Sequence, residues 1–281
     1  AQDGGSKEPA YIRLANPYTA DRTVMRRTLL TGLLDTAARN LRWRDRIALF
    51  ELGQVYLPVK GEKLPAEPAR LAVVLTGRRE LPAWQDPADA QPGLMDYFDL
   101  KGILEMLIAG LHLSGVTFEA AEPGGPYFPG RTAALLIDGR AVGHLGELHP
   151  LVREAFELPE QAVFIADLDL EALLASVPEL YTVKPVTGYP AVYQDIAIVL
   201  DRETPAADVE RVIREAGGDL LRGVRLFDVY EGEQVGANKK SLAYALTIQA
   251  EDRTLTDREA DRVREQIVRA LREKLGAKLR A

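Results

Sequence analysis

The fold of the last part of this chain is decided by one stretch, KSLAYALTIQAEDRTLTDREADRVREQIVRALREKLGAKLR, at residues 240–280. It opens with large and small residues in alternation, which predicts a strand buried on one face. Thr256 and Glu259 have the spacing of a helix capping box, and the apolar residues after them recur at intervals of three and four. We therefore expect a long amphipathic helix that ends at Gly276, with residues 277–280 available for a last strand.

The sequence upstream of this stretch supplies the rest of a small domain. Residues 192–200 and 221–230 have the composition of strands. Between them Thr204 offers an N-cap hydroxyl, Pro205 suits the first position of a helix, and the pair Gly217-Gly218 can stop it. The order β-α-β-β-α-β predicts a ferredoxin-like domain, in which two helices cover one face of a four-stranded antiparallel sheet.

Alternation along these strands predicts which side chains face the helices. Large apolar residues are expected to pack inward, namely Ile196, Ile198, Leu200, Phe227, Val229, Leu242, Tyr244, Leu246 and Ile248. The uncovered face then carries the small residues Ala197 and Ser241 beside Asp228 and Tyr230. A ring that stacks, a carboxylate that accepts from a base edge and small neighbours suit a splayed-out nucleobase. The alternative is that Tyr230 covers a sheet edge and Asp228 ends a strand.

A longer unit, residues 9–180, precedes this domain. Apolar residues at helical spacing predict helices over 23–41 and 94–111. Short apolar runs predict strands, at 11–15, 47–57, 70–76, 117–120, 131–137, 141–148 and 162–168. Asp138-Gly139 marks a tight hairpin turn between two of them. Antiparallel strands with a few long helices indicate an α+β fold, a sheet covered by helices.

Composition limits the classes of protein to which the chain can belong. It has 281 residues with no cysteine, which excludes disulfides and thiolate metal sites and fits a reducing cytoplasm. No run approaches the roughly 18 apolar residues that cross a bilayer. A net charge of −7 disfavours a protein that coats nucleic acid through bulk charge, so neither DNA nor a membrane is an expected partner.

The length suits two domains with flanking segments. We expect a disordered extension at 1–8, the first domain at 9–180, a proline-containing linker at 181–190 and the second domain at 191–281. The chain starts without methionine, as a trimmed or excised segment would.

Several strings of residues resemble a known family. In the second domain they are YPAVYQDIAIV (189–199), LFDVYEG (226–232), KKSLAYALTIQAEDRTLTD (239–257) and LGAKLR (275–280). These resemble the ferredoxin-fold anticodon-binding domain that closes the β subunit of bacterial phenylalanyl-tRNA synthetases. The first domain is similar to the same subunit's class II synthetase-like core through NPYTADRTVMRRTLLTGLL (16–34), LFELGQVY (49–56), YFDLKGILE (97–105), PGRTAALLIDGRAVGHLGELHP (129–150) and VFIADLDLEAL (163–173).

The resemblance implies a function for the second domain. It would recognise the anticodon of tRNA(Phe), chiefly its first base. The implied contacts are Ala197, Asp228, Tyr230, Ser241 and Arg280. The resemblance also implies a catalytic α subunit in an (αβ)₂ assembly, against which the helix at 23–41 would pack unless it is ordinary core. ATP and Mg²⁺ would serve the whole enzyme, with no cofactor in this chain.

The core resembles a class II synthetase that has lost its chemistry. Such enzymes hold ATP phosphates with an Arg two residues before the motif Glu, and here Leu49 stands at that distance before Glu51. No third-motif Gly-x-Gly followed by Arg is present, so developing phosphate charge would lack a stabiliser and no catalytic residue is expected. Phe128 stands where the family commonly has His in His-Pro-Gly-Arg. The family's editing, oligonucleotide-binding and Mg²⁺-binding modules lie upstream of the matched strings, so no editing is expected here.

Two rival interpretations remain. His144, Glu147 and His149 superficially suggest a zinc hydrolase, but Gly143 and Gly146 oppose the helix that such motifs need, and no metal site is expected. The other rival is a free-standing RNA-binding or regulatory module of the same folds without a ligase partner.

Overall fold

A computed structural model describes residues 11–20, 22–87, 93–181, 183 and 187–280. Two compact units divide the chain, Ala1–Tyr181 and Thr182–Ala281. The extension expected at 1–8 lies outside the described residues, as do residues 182 and 184–186 of the expected linker. None of the helices in the described ranges is long and apolar enough to cross a membrane.

The first unit is built on a six-stranded antiparallel sheet of order β1-β2-β6-β5-β4-β3. Its elements are α1 (Leu30–Asn40), β1 (Arg46–Gln54), β2 (Ala69–Gly77), α2 (Tyr97–Gly110), β3 (Val116–Ala120), β4 (Tyr127–Ile137), β5 (Arg140–Leu148), α3 (Pro150–Ala155), β6 (Val163–Asp169) and α4 (Leu170–Ala175). The α+β class predicted from the strand and helix patterns is confirmed.

Both faces of this sheet are covered near its centre, which explains why β2 is apolar from Leu71 to Leu75. Its residues Leu71, Val73 and Leu75 pack into a core with α2 and α4. The intervening Ala72 and Val74 pack into a second core with α1. The predicted hairpin is also present, because Asp138 and Gly139 take φ of 49° and 76° between β4 and β5.

Two expectations for the start of this unit were wrong. The predicted helix at 23–41 begins only at Leu30, because the Thr28 hydroxyl accepts a hydrogen bond from the Leu30 N–H at 3.1 Å and Val24 instead bridges Arg13. Such a local side-chain bond competes with helical pairing. The predicted strand at 11–15 is reduced to that isolated bridge.

The second unit contains a four-stranded antiparallel sheet of order β10-β7-β9-β8. Its elements are β7 (Val192–Asp201), α5 (Ala206–Gly217), β8 (Leu221–Tyr230), β9 (Lys239–Ile248), α6 (Asp257–Leu275) and β10 (Lys278–Leu279). Both helices pack into one core with the inward residues of β7 and β9. The ferredoxin-like prediction is confirmed.

The two helices of this unit differ in how they begin. In α6 the predicted capping box is present, with the Thr256 N–H donating to Glu259 at 2.9 Å, and Gly276 ends the helix at φ 62°. The pKa of Glu259 is lowered to about 2, chiefly because Arg253 donates a hydrogen bond to its carboxylate and, to a smaller extent, because Thr256 does so. In α5 the N-cap is Pro205 and no side chain caps the helix, so the cap predicted at Thr204 was wrong.

Candidate nucleic-acid interface

The sheet of the second unit has one face turned away from α5 and α6, which we call the open face. Directly paired residues of antiparallel strands share a face. Leu242, Tyr244, Leu246 and Ile248 of β9 lie in the helix-covered core, so the alternate residues of β9 belong to the open face. Through the pairing register the open face comprises Tyr193, Asp195, Ala197 and Val199 of β7, Ser241, Ala243, Ala245 and Thr247 of β9, and Gly223, Arg225, Asp228 and Tyr230 of β8.

The register brings four of the five expected contact residues together at one end of this face. Ala197 and Asp228 both pair with Ala243, and Tyr230 pairs with Ser241. Asp228 is exposed, whereas Ser241 is only 3% exposed. At this end of the face the Tyr230 ring and the exposed Asp228 carboxylate therefore stand beside small residues.

Arg280 is the fifth expected residue, and the fold brings it across the sheet to the same place. Its backbone N–H donates to the Ala197 carbonyl at 2.8 Å, which extends the pairing of β10 with β7. Its guanidinium carbon lies 5.1 Å from the centroid of the Tyr230 ring, and Nη2 donates to Gln234 Oε1 at 3.3 Å. A cation over a tyrosine ring is attracted by the ring's negative face. A base stacking on Tyr230 would replace this cation or share the ring with it.

The prediction that Phe227 and Val229 pack into the core was wrong, although the register places Val229 on the helix-covered side of the sheet. A β-bulge between Leu226 and Asp228 places two residues of β8 opposite one of β9, so Leu226 packs on the core and Phe227 is 47% exposed. Val229 pairs with core residue Leu242 but lies on the edge strand and is 53% exposed. The inserted residue breaks the period of two on which the prediction rested.

Gly232 is a residue of the site that sequence reasoning missed. A Cβ atom added there would lie 2.5 Å from the Tyr230 hydroxyl oxygen and 2.8 Å from Cζ of the same ring. Its φ of −178° and ψ of 176° are extended, so the glycine is needed for space and not for its backbone conformation. The string Tyr-Glu-Gly was the available signal, although it does not reveal that the ring folds back over the glycine.

The first unit places Leu49 and Glu51 on β1. Leu49 packs against the α1 core. The Glu51 carboxylate pairs with Arg26 at 2.6 Å. The apolar stripe of α1, comprising Leu30, Leu33, Leu34 and Ala37, is buried in this unit's own core, so the alternative of ordinary core is the one that the structure shows.

The side chains of His144, Glu147 and His149, which superficially suggest a zinc site, each have their own protein contacts. Glu147 pairs with Arg131 at 2.6 Å, and His149 Nδ1 accepts the Leu151 N–H at 3.2 Å as an N-cap. The pKa of His144 is lowered, chiefly because the ring is partly buried and also because the positive charge of Arg70 lies nearby. Within the described ranges no group of three His, Cys, Asp or Glu residues is arranged to hold a metal.

Phe128, which replaces the family's usual His, has a packing role in the first unit. The Arg131 guanidinium carbon lies 4.7 Å from the centroid of its ring, and the ring also makes an edge contact with His149 at 5.8 Å between centroids. Gly130 takes φ 76°, so the turn of the Phe-Pro-Gly-Arg string keeps its glycine-dependent conformation.

Comparison with known proteins gives consistent matches over both units. Residues 2–170 match the family described as phenylalanyl tRNA synthetase beta chain CLM domain, and residues 187–280 match the ferredoxin-fold anticodon binding domain. The chain is 44% identical to the phenylalanine–tRNA ligase beta subunit of Symbiobacterium thermophilum over 96% of this chain and 30% of that protein. It is 45% identical to the Moorella thermoacetica subunit, over 96% and 33%. The chain thus spans about a third of the length of the curated relatives it matches.

Proposed function

The chain belongs to the phenylalanyl-tRNA synthetase β-subunit family, and we propose that its second unit binds the tRNA(Phe) anticodon on the open face. The observation that carries the proposal is the convergence of Asp228 and Tyr230 from β8, Ser241 from β9 and Arg280 from the position after β10. Tyr230 would stack on a base, and Asp228 would accept from a base edge. Arg280 would leave Tyr230 to contact phosphate or base.

The small floor residues support this assignment sterically. The positions that pair next to Asp228 and Tyr230 hold the small residues Ala243 and Ser241, with Ala197 beyond Ala243 and Val199 beyond Ser241, so the floor closest to the Tyr230 ring is low enough for a base to lie flat. The overall charge of −7 makes binding depend on these local contacts rather than on a general basic surface.

The test is a titration of the tRNA(Phe) anticodon stem-loop with the full chain at fixed salt. Stacking contributes about 1–3 kcal/mol per base, so Tyr230→Ala should weaken binding about 5- to 150-fold. Tyr230→Phe keeps the ring and serves as the matched control, which should bind nearly as wild type does. Unchanged affinity of Tyr230→Ala would refute the assignment.

For the first unit we propose a structural role beside a catalytic α subunit in an (αβ)₂ assembly in the cytoplasm. Leu49, which stands where the resemblance expects the ATP-binding Arg, packs in the core. The neighbouring cation Arg26 is already paired with the Glu51 carboxylate. ATP and Mg²⁺ would therefore bind to the α subunit.

The surface that contacts the α subunit would not be the apolar face of α1, because that face is already buried in the core of the first unit. β1 is an edge strand that exposes Phe50 and Leu52 on one face, which suits such a contact.

A further inference from the structure

The open face carries a second aromatic group at the end opposite Tyr230. Tyr193 of β7 pairs with Thr247, and Thr247 in turn pairs with Gly223 of β8. Tyr193 is 76% exposed, so its ring is not explained by packing in the core or against a neighbouring side chain. A tyrosine whose cross-strand neighbour carries a hydroxyl repeats the pairing of Tyr230 with Ser241.

The next row inward supplies charge of both signs. Asp195 and Arg225 both pair with Ala245, one from each side, so a carboxylate and a guanidinium stand on either side of a small residue. The Arg225 guanidinium carbon lies 6.0 Å from the exposed Phe227 ring. Among the described residues no carboxylate forms an ion pair with Arg225, which leaves its charge available to a phosphate.

The two aromatic groups are too far apart to hold the same base. Ser241 and Thr247 mark the two groups along β9, and a strand rise of about 3.4 Å per residue separates them by about 20 Å. A single ligand that reaches both must therefore span about 20 Å along the sheet, as several nucleotides of an RNA strand would.

We propose that Tyr193 and Arg225 form a second nucleotide subsite on the open face, with Tyr193 stacking on a base and Arg225 contacting a phosphate. The inference rests on the proposed function, because the strand would be the same single-stranded RNA that reaches Tyr230. A carboxylate, a small floor and an aromatic ring recur at both ends of the face, and this recurrence favours RNA over an apolar partner, which would leave Asp195 and Arg225 without partners.

The experiment titrates the tRNA(Phe) anticodon stem-loop with the full chain and its variants. Tyr193→Ala should weaken binding about 5- to 150-fold, whereas Tyr193→Phe should not. Tyr189→Ala, which removes a partly exposed tyrosine of the same unit that lies before β7, is the matched control and should leave the affinity unchanged. Arg225→Gln should weaken binding and lower the slope of log affinity against log salt by about 1, a change that Tyr193→Ala should not produce.

The outcomes separate the two proposals. If Tyr230→Ala weakens binding while Tyr193→Ala and Arg225→Gln leave it unchanged, the second subsite is refuted and the anticodon assignment stands. If the wild-type chain does not bind the stem-loop, both proposals fail. Independent subsites predict that the Tyr193→Ala and Tyr230→Ala effects add in free energy, because the two rings are far apart. Thermal unfolding of each variant checks that the loss is not one of folding.

Discussion

Gly232→Ala should weaken RNA binding through the Tyr230 ring without unfolding the protein. The added Cβ would lie 2.5 Å from the ring's hydroxyl oxygen, whereas ordinary contacts begin at 3.4 Å, so the end of the ring must move by at least 0.9 Å (3.4 − 2.5). The extended backbone at Gly232 accepts alanine without strain. The atoms in the way belong to the far end of a side chain, so the ring yields and the backbone does not.

The size of the effect follows from how steeply contact energy falls with distance. A gap of about 0.5–1 Å forfeits about a quarter to a half of a dispersion contact. Applied to stacking of about 1–3 kcal/mol, this gives a loss of about 0.3–1.5 kcal/mol. Affinity for the stem-loop should therefore fall about 2- to 12-fold, less than for Tyr230→Ala.

The assay is fluorescence anisotropy of the labelled anticodon stem-loop at fixed salt, with Gly188→Ala as the control. An added Cβ at Gly188 would have no heavy atom within 4 Å, so that variant should bind as wild type does. Because Gly232 is argued to act through Tyr230, the double variant Gly232→Ala/Tyr230→Ala should bind no more weakly than Tyr230→Ala alone. Additive losses, or wild-type affinity for Gly232→Ala, would refute the reasoning.

Two further predictions concern stability and assembly. The folded pKa of Glu259, about 2, lies below its ordinary 4.5 because Arg253 donates to it, so its stabilising contribution is complete above about 4.5 and is lost as the pH falls towards 2. Glu259→Gln should flatten the dependence of melting temperature on pH in that window, and an unchanged slope would contradict this. Phe50→Asp should abolish co-elution of the chain with its cognate α subunit in gel filtration while circular dichroism and stem-loop binding stay normal. A wild-type chain that never co-elutes would favour a free-standing RNA-binding module.

Local signals predicted the second unit well wherever the physical cause was itself local. The Thr256–Glu259 box and Gly276 bounded α6 correctly, because capping and left-handed glycine depend on neighbours in the chain. Alternation in β9 was correct because helices cover one of its faces and every second residue must be apolar. The helix predicted from residue 23 failed for the opposite reason, since the periodicity of Met25 and Leu29 does not reveal that Val24 pairs with Arg13.

The sequence by itself determined that a ferredoxin-like domain carries Ala197, Asp228, Tyr230 and Ser241 on its open face. Tertiary structure alone decided what surrounds Tyr230. The bulge in β8, which exposes Phe227, forms at a sheet edge and leaves no mark in composition. The contact of Arg280 with Tyr230 depends on strand order, because the last strand must lie beside β7 before its arginine can reach across the sheet. Periodicity assigns a residue to a face, but only the register between strands decides which residues of that face meet.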